Sequence, residues 1–143
     1  MKVKDISTRD PQCIGPDASL AEAAKQMRIL DIGMLPVCEN GRLIGTVTDR
    51  DITVRAVAEG LDPKAVKVRQ MMTQEVVYCF ENRSVEEAAH LMEEKQIRRL
   101  PVLDAQKHLV GIVSIGDVAA RAHELRLAGE ILEYVTGRPR AVR

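Results

Sequence analysis

Apolar and polar positions follow a helical rhythm early in this chain. Between residues 20 and 30 apolar side chains recur every three or four positions, which predicts an amphipathic helix. The positions concerned are Leu20, Ala23, Ala24, Met27 and Leu30. Ser19 precedes them and Glu22 follows it at the third position, which predicts a capping box at the helix start. This helix must end before Pro36, because proline is not tolerated inside a helix.

The pattern after the helix changes to two short apolar runs. LPVC (35–38) and GRLIGTV (41–47) read as strands, and Asn40-Gly41 between them is a hairpin turn signal. A second helix is expected to begin after Thr48. The order that follows from these patterns is strand, helix, strand, strand, helix.

The same order is written a second time. SLAEAAKQM (19–27) aligns with SVEEAAHLM (84–92), MLPV (34–37) with RLPV (99–102), and GTVTDRDI (45–52) with GIVSIGDV (111–118). The lead-in VKDIST (3–8) aligns with VRQMMT (68–73). One copy would leave a sheet face uncovered, so we expect two copies to pack about a pseudo-two-fold axis. The sequence therefore predicts an α/β (α+β) fold.

The repeat also predicts the domain boundaries. The first copy is expected to span residues 3–60 and the second copy residues 68–123, with a linker at 61–67. A C-terminal helix and tail should occupy 124–143, because LRLAGEILEYV (125–135) has helical apolar spacing.

One hydroxyl and one carboxylate recur at the start of each second helix. Thr48 and Asp51 in the first copy correspond to Ser114 and Asp117 in the second. Each pair can form a capping box that stabilises the helix start by about 1 kcal/mol. An aspartate can also accept hydrogen bonds from the two hydroxyls of a ribose, and a helix start suits phosphate. Both interpretations remain open, and they can coexist.

Arginines near these helix starts distinguish the two copies. Arg98 and Arg99 precede the proline of the second copy, where the first copy has uncharged residues. They can grip phosphate, or they can be solvated residues after a helix end. Arg50 lies inside the first motif, and Arg121 lies one turn along the second. We expect different affinities at the two copies, and the second is the preferred position for a polyphosphate.

Composition excludes several functional classes. Lysine and arginine total 21, as do aspartate and glutamate, which argues against nucleic acid or an anionic membrane as the main partner. Neither metal-ligand spacing nor a nucleophile–base pair is recognisable, so we do not expect an enzyme or a required cofactor. The N-terminus lacks the pattern of a signal peptide, and no apolar run approaches the ~20 residues of a membrane helix. A cytoplasmic protein is expected.

Two of the three cysteines fall in the first copy. Cys13 is expected on its first strand and Cys38 on the strand after Pro36. Neighbouring strands lie ~4.8 Å apart, so a disulfide is geometrically feasible. Buried free thiols are the favoured state in a cytoplasmic protein.

The duplicated motifs together resemble a tandem CBS-domain module, or Bateman module. The resemblance rests on Leu35-Pro36-Val37 and Leu100-Pro101-Val102, on residues 45–51 and 111–117, and it covers residues 3–122. The length is similar to that of bacterial stand-alone CBS-pair proteins of the hypoxic-response type.

The resemblance implies a regulatory module that binds AMP, ADP, ATP, NAD or S-adenosylmethionine in clefts between the repeats. It assigns the ribose to Asp51 or Asp117, sugar or phosphate to Thr48 or Ser114, and phosphates to Arg98 and Arg99. It also implies a homodimer, and without an attached output domain the target would be another, unidentified protein. The alternative is a structural or protein-interaction dimer without a nucleotide, redox-responsive through Cys13 and Cys38.

Overall fold

A computed structural model describes residues 1–121 and 125–137 of the chain. Its elements in chain order are α1 (Val3–Ile6), β1 (Thr8–Arg9), α2 (Leu20–Leu30), β2 (Met34–Glu39), β3 (Arg42–Thr48), α3 (Asp49–Asp51), a π-helical segment (Ile52–Val57), α4 (Val68–Met71), β4 (Cys79–Phe80), α5 (Val85–Lys95), β5 (Arg99–Leu103), β6 (Leu109–Ser114), α6 (Ile115–Arg121) and α7 (Leu125–Thr136). The mixed α/β fold class predicted from the sequence is confirmed.

These elements form two compact units. The central unit comprises Gln12–Val76, and the outer unit comprises Met1–Pro11 with the described residues from Val77 onward. The boundaries of the units differ from those of the two sequence copies. The lead-in of each copy belongs to the unit that is otherwise formed by the other copy. The lead-in at 3–8 lies in the outer unit and the lead-in at 68–73 lies in the central unit.

The predicted amphipathic helices are present as α2 and α5. Ser19 Oγ accepts the Glu22 N–H at 3.1 Å, and Ser84 Oγ accepts the Glu87 N–H at 3.1 Å. The Glu22 carboxylate in turn accepts the Ser19 N–H at 3.2 Å, which completes the capping box. Since both caps are built from residues three apart, the sequence is enough to locate them.

The central unit is built on the antiparallel hairpin of β2 and β3. Asn40 and Gly41 form its turn with φ values of 55° and 78°, as the Asn-Gly signal predicts. Two single bridges extend the hairpin: Ile14 pairs in parallel with Val37, and Thr73 pairs antiparallel with Thr46. The lead-in of the second copy thus lies beside β3 of the first.

The outer unit repeats this arrangement, with two-residue strands in place of the single bridges. Its four-stranded sheet has the order β1-β6-β5-β4, in which β4 runs parallel to β5 and the other pairs are antiparallel. Thr8 of β1 lies opposite Ile112 of β6. The lead-in of the first copy therefore completes the sheet of the second copy, at the position that Thr73 occupies in the central unit.

The start of each copy differs from the predicted single strand. Each lead-in contains a short helix, α1 or α4, and in α1 the buried Val3 and Ile6 lie three positions apart. The strand expected around Cys13 is reduced to the bridge at Ile14, so the placement of Cys13 on a strand was wrong. The segment is too short to build a ladder because Gly15-Pro16 turns the chain toward α2.

Each unit has an aliphatic core of its own. In the outer unit the buried cluster consists of Val3, Ile6, Cys79, Val85, Ala88, Ala89, Met92, Leu100, Val102, Val113, Val118 and Ile131. In the central unit it consists of Ile14, Leu20, Ala23, Met27, Leu35, Val37, Val47, Ile52, Ala56, Val66, Val68 and Met72. Alternate strand positions and one face of each helix supply these side chains, as the apolar spacing predicts.

The C-terminal helix predicted from apolar spacing corresponds to α7, which packs against α5 and α6. Ile131 of α7 is fully buried in the outer core. Residues 122–124, between α6 and α7, lie outside the described residues, as does the tail at 138–143. Among the helices described, none is long and apolar enough to span a membrane.

Candidate functional site

The first motif forms a capping box at the start of α3. Thr48 Oγ1 accepts the Asp51 N–H at 3.0 Å, and the Asp51 carboxylate accepts the Thr48 N–H at 3.0 Å. Both residues are partly buried. The capping interpretation of this motif is therefore realised in the structure. A carboxylate can accept about four hydrogen bonds, so the Asp51 carboxylate can still accept others while it caps the helix.

The second motif forms the same box at the start of α6. Ser114 Oγ accepts the Asp117 N–H at 3.0 Å, and the Asp117 carboxylate accepts the Ser114 N–H at 2.9 Å. The two hydroxyl–carboxylate pairs are thus held in matching geometry in the two units. Each box orients an aspartate at a helix start, where free backbone N–H groups also lie.

Arg98 and Arg99 lie beside the second box. Arg99 is the first residue of β5 and is the register partner of Ser114, the last residue of β6. The carbonyl of Arg98 accepts the N–H of Ile115 at 3.0 Å. Both arginines are exposed, and neither forms an ion pair with any residue that the structure describes. Four of the predicted site residues, Arg98, Arg99, Ser114 and Asp117, therefore meet at one corner of the outer unit.

The corresponding corner of the central unit has different chemistry. Met34 is the register partner of Thr48, and the carbonyl of Gly33 accepts the N–H of Asp49 at 2.9 Å. A Cβ on Gly33 would lie 2.9 Å from Asp49 Oδ2, so the Asp49 carboxylate occupies the space where a side chain at position 33 would start. Asp49 and Asp51 place two carboxylates at this corner, where the outer unit has two arginines and one carboxylate.

Arg50 and Arg121 are the remaining predicted site residues. Arg50 is exposed, and its backbone N–H donates to Asp49 Oδ1 at 2.8 Å. Arg121 is the last residue of α6, and its side chain lies outside the described residues. Its counterpart Arg55 donates from Nη1 to the carbonyl of Met71 at 3.0 Å, so that guanidinium holds the π-helical segment to the end of α4.

Asp49 is the residue that sequence reasoning missed. The repeat did contain a signal: Gly33 stands where the second copy has Arg98, and Asp49 stands where it has Ile115. The backbone of each pair is hydrogen-bonded across the strand ends. A side chain at position 33 would require the exposed Asp49 carboxylate to move.

No group of three or more histidine, cysteine, aspartate or glutamate side chains within the described residues is arranged to hold a metal ion. The chemistry that the two corners offer is hydrogen bonding by carboxylate and hydroxyl, with a cationic contribution in the outer unit.

Comparison with known proteins identifies the class. The family model of the CBS domain matches residues 3–57 and again residues 68–124. The chain therefore belongs to the CBS domain family and is a CBS pair, a regulatory type of module. The resemblance inferred from the duplicated motifs is confirmed.

Curated relatives match over most of their own length. The CBS domain-containing protein YhcV of Bacillus subtilis is 40% identical over 134 residues, covering 94% of each chain. Hypoxic response protein 1 of Mycobacterium tuberculosis is 39% identical over 122 residues, covering 85% of each. These similarities confirm the expected likeness to stand-alone CBS-pair proteins of the hypoxic-response type.

Solved structures share the fold and differ in what they bind. Hypoxic Response Protein I with two coordinated zinc ions has a TM-score of 0.78 at 38% identity, covering 85% of this chain and 98% of that one. The CBS pair of MJ0100, in complex with 5-methylthioadenosine and S-adenosyl-L-methionine, has a TM-score of 0.76 at 30% identity, and the match covers 88% of this chain and 98% of that one. CBSX2 in complex with AMP has a TM-score of 0.74 at 27% identity, and the match covers 87% of this chain and 98% of that one.

Proposed function

We propose that this protein is a regulatory sensor that binds an adenosine-derived nucleotide at the corner formed by Arg98, Arg99, Ser114 and Asp117. The carrying observation is that strand pairing brings the backbone of Arg98 and Arg99 next to the capped helix start at Ser114, although the motif and the arginines are separated in sequence. Two similar structures contain adenosine derivatives, which supports this ligand class. The candidates are AMP, ADP, ATP, NAD and S-adenosylmethionine.

Each group at this corner has a distinct proposed role. The Asp117 carboxylate accepts hydrogen bonds from the ribose hydroxyls with the lone pairs that its cap leaves unused. Ser114 contributes a hydroxyl to sugar or phosphate, and the guanidinium groups of Arg98 and Arg99 neutralise phosphates. Arg121, the last residue of α6, is assigned to the same proposed site. A polyphosphate should therefore bind more tightly at the outer unit than at the central unit.

The central unit is proposed to bind a polyphosphate weakly. Thr48 and Asp51 offer the same ribose chemistry, and Arg50 is exposed on the adjoining turn. Asp49 adds a second carboxylate close to the helix start, and a negative charge there opposes the approach of phosphates. The two corners should therefore differ in affinity for ATP.

The sensing mechanism follows from differential affinity. A nucleotide changes the conformational equilibrium only if it binds one arrangement of the chain more tightly than another. We propose that the chain acts as a homodimer, because Val54, Val57 and Leu132 present large apolar side chains at 47%, 58% and 44% exposure. Its target would be an unidentified protein rather than nucleic acid or membrane, and the proposed location is the cytoplasm.

Calorimetric titration with AMP, ATP, NAD and S-adenosylmethionine tests this proposal. The decisive variant is Asp117→Asn, because asparagine Oδ1 can still accept the Ser114 N–H and retain the cap. We expect an unfolding free energy within about 0.5 kcal/mol of the parent, with nucleotide affinity lower by roughly 10- to 100-fold as charge-assisted bonds are lost. Asp51→Asn is the matched comparison: it should weaken only the proposed low-affinity site of the central unit and leave the ATP affinity of the outer unit unchanged.

Two results would contradict the proposal. One is the absence of saturable binding to any of the four nucleotides. The other is equal affinity in Asp117→Asn and the parent protein, which would leave the motif as a helix cap alone. The alternative function, an interaction dimer without a nucleotide, is favoured by the exposed apolar side chains. It predicts an unchanged melting temperature with every nucleotide.

A further inference from the structure

Cys13 and Cys38 are brought together by backbone pairing at the edge of the central hairpin. The Ile14 N–H donates to the Pro36 carbonyl at 3.0 Å, and the Cys38 N–H donates to the Ile14 carbonyl at 3.0 Å. Because Ile14 pairs in parallel with Val37, Cys13 lies beside Pro36, and Cys38 lies two positions further along that strand, as a diagonal neighbour of Cys13. Main-chain contacts rather than flexible loops therefore set their separation.

The two thiols are close to each other but differ in accessibility. Both cysteines are free in the structure. Cys13 is exposed, whereas Cys38 is half-buried. Burial, and then the neighbouring Cys13, raise the pKa of the Cys38 thiol to about 12. An oxidant in solution therefore reaches Cys13 first.

The pair is specific to the first copy. Tyr78 and Leu103 occupy the corresponding positions of the second copy, so the general CBS repeat does not require a cysteine pair here. The third cysteine, Cys79, is buried in the core of the outer unit with 6% exposure. It serves as an internal reference for a thiol that solvent does not reach.

We propose that Cys13 and Cys38 form a thiol modification site that closes a reversible disulfide on reaction with a low-molecular-weight disulfide. The Cys13 thiolate attacks one sulfur of the reagent, forms a mixed disulfide and releases one thiolate. Cys38 then gives up its proton and attacks the Cys13 sulfur, which releases the second thiolate. Two protein thiols are oxidised and one reagent disulfide is reduced to two thiols.

The disulfide would join the segment before α2 to the strand after it. It therefore encloses α2 in a covalent loop and restricts the unfolded chain. The oxidised protein should melt several degrees higher than the reduced protein, and cleavage by a protease between Cys13 and Cys38 should be slower. This site acts independently of the nucleotide proposal, because all of its groups belong to the hairpin edge of the central unit.

The test is oxidation of the full-length reduced protein with glutathione disulfide, followed by alkylation and peptide mapping without reduction. We expect a Cys13–Cys38 cross-link, with Cys79 alkylated only after denaturation. Cys38→Ala should retain glutathione on Cys13, because the resolving thiol is missing, and Cys13→Ser should remain largely unmodified. Cys79→Ala is the matched control and should close the cross-link at the parental rate.

Three results would overturn the proposal. The first is a stable mixed disulfide on Cys13 of the parent protein, and the second is a Cys13–Cys13 link between two chains. The third is bound zinc in the purified protein that protects both thiols until a chelator is added. Melting temperatures of the reduced variants show whether each one is folded, so a folding defect cannot imitate any of these results.

Discussion

The close packing around Gly45, the first residue of the first motif, can be tested by replacing this glycine with alanine. Gly45 lies in β3 against the lead-in of the second copy. A Cβ there would lie 2.9 Å from Met72 Sδ and 2.9 Å from the Thr73 carbonyl oxygen. The sulfur can move with its side chain, but the carbonyl belongs to the backbone and is held in place. Gly45→Ala should therefore separate the lead-in from β3.

The cost can be estimated from the contacts that would be lost. Thr73 exchanges two backbone hydrogen bonds with Thr46, at 2.8 and 3.0 Å, and each contributes about 1 kcal/mol. Displacing Met72, which is 8% exposed, adds about 1 kcal/mol of lost packing. Alanine also reduces the conformational entropy of the unfolded chain, which offsets about 0.5 kcal/mol of this loss. The net loss of stability is about 2–3 kcal/mol, or roughly 5–10 °C in melting temperature.

Urea unfolding followed by circular dichroism measures this loss. Gly129→Ala is the matched control, because Gly129 is exposed on α7 and a Cβ there meets nothing within 4 Å. That substitution should raise stability by up to about 1 kcal/mol through helix propensity. A Gly45→Ala protein within about 0.5 kcal/mol of the parent would refute the close-approach argument.

Two further predictions concern other parts of the fold. Ser84→Ala removes the acceptor of the Glu87 N–H and should lower the unfolding free energy by about 1 kcal/mol in urea titration. Ser84→Asp keeps an acceptor at the helix start and should retain most of the stability that the cap contributes. Burial raises the pKa of the Cys79 thiol to about 11, so folding disfavours its thiolate. Stability contributed by the neutral thiol is therefore present below its ordinary pKa and lost as the pH rises toward 11. In Cys79→Ala the unfolding free energy should fall less steeply as the pH rises. An equally steep fall in this variant would show that other groups cause it.

Much of the candidate site could be predicted because its geometry is local. A hydroxyl and a carboxylate three residues apart at the end of an apolar run specify a helix cap wherever they occur. Thr48 with Asp51 and Ser114 with Asp117 therefore took up the expected geometry. Their role in binding a ligand stays a prediction, because a capping box is satisfied without any ligand.

Other features depended on partners distant in sequence. The close approach of position 33 to the Asp49 carboxylate arises only after β2 and β3 pair. The π-helical segment at Ile52–Val57 likewise has no signal in the apolar spacing, and the placement of Cys13 on a strand failed because only Ile14 forms a bridge.

The duplication can be read from the sequence alone, and so can the amphipathic helices with their caps and the hairpins, because these elements depend on residues within a few positions of one another. The packing of each lead-in depends on the folded chain. The two copies have nearly equivalent sheets, so local pattern cannot show that Thr8 pairs with Ile112 and Thr73 with Thr46. That choice is made by long-range strand pairing and by the glycines that permit it, whose energies exist only in the folded chain.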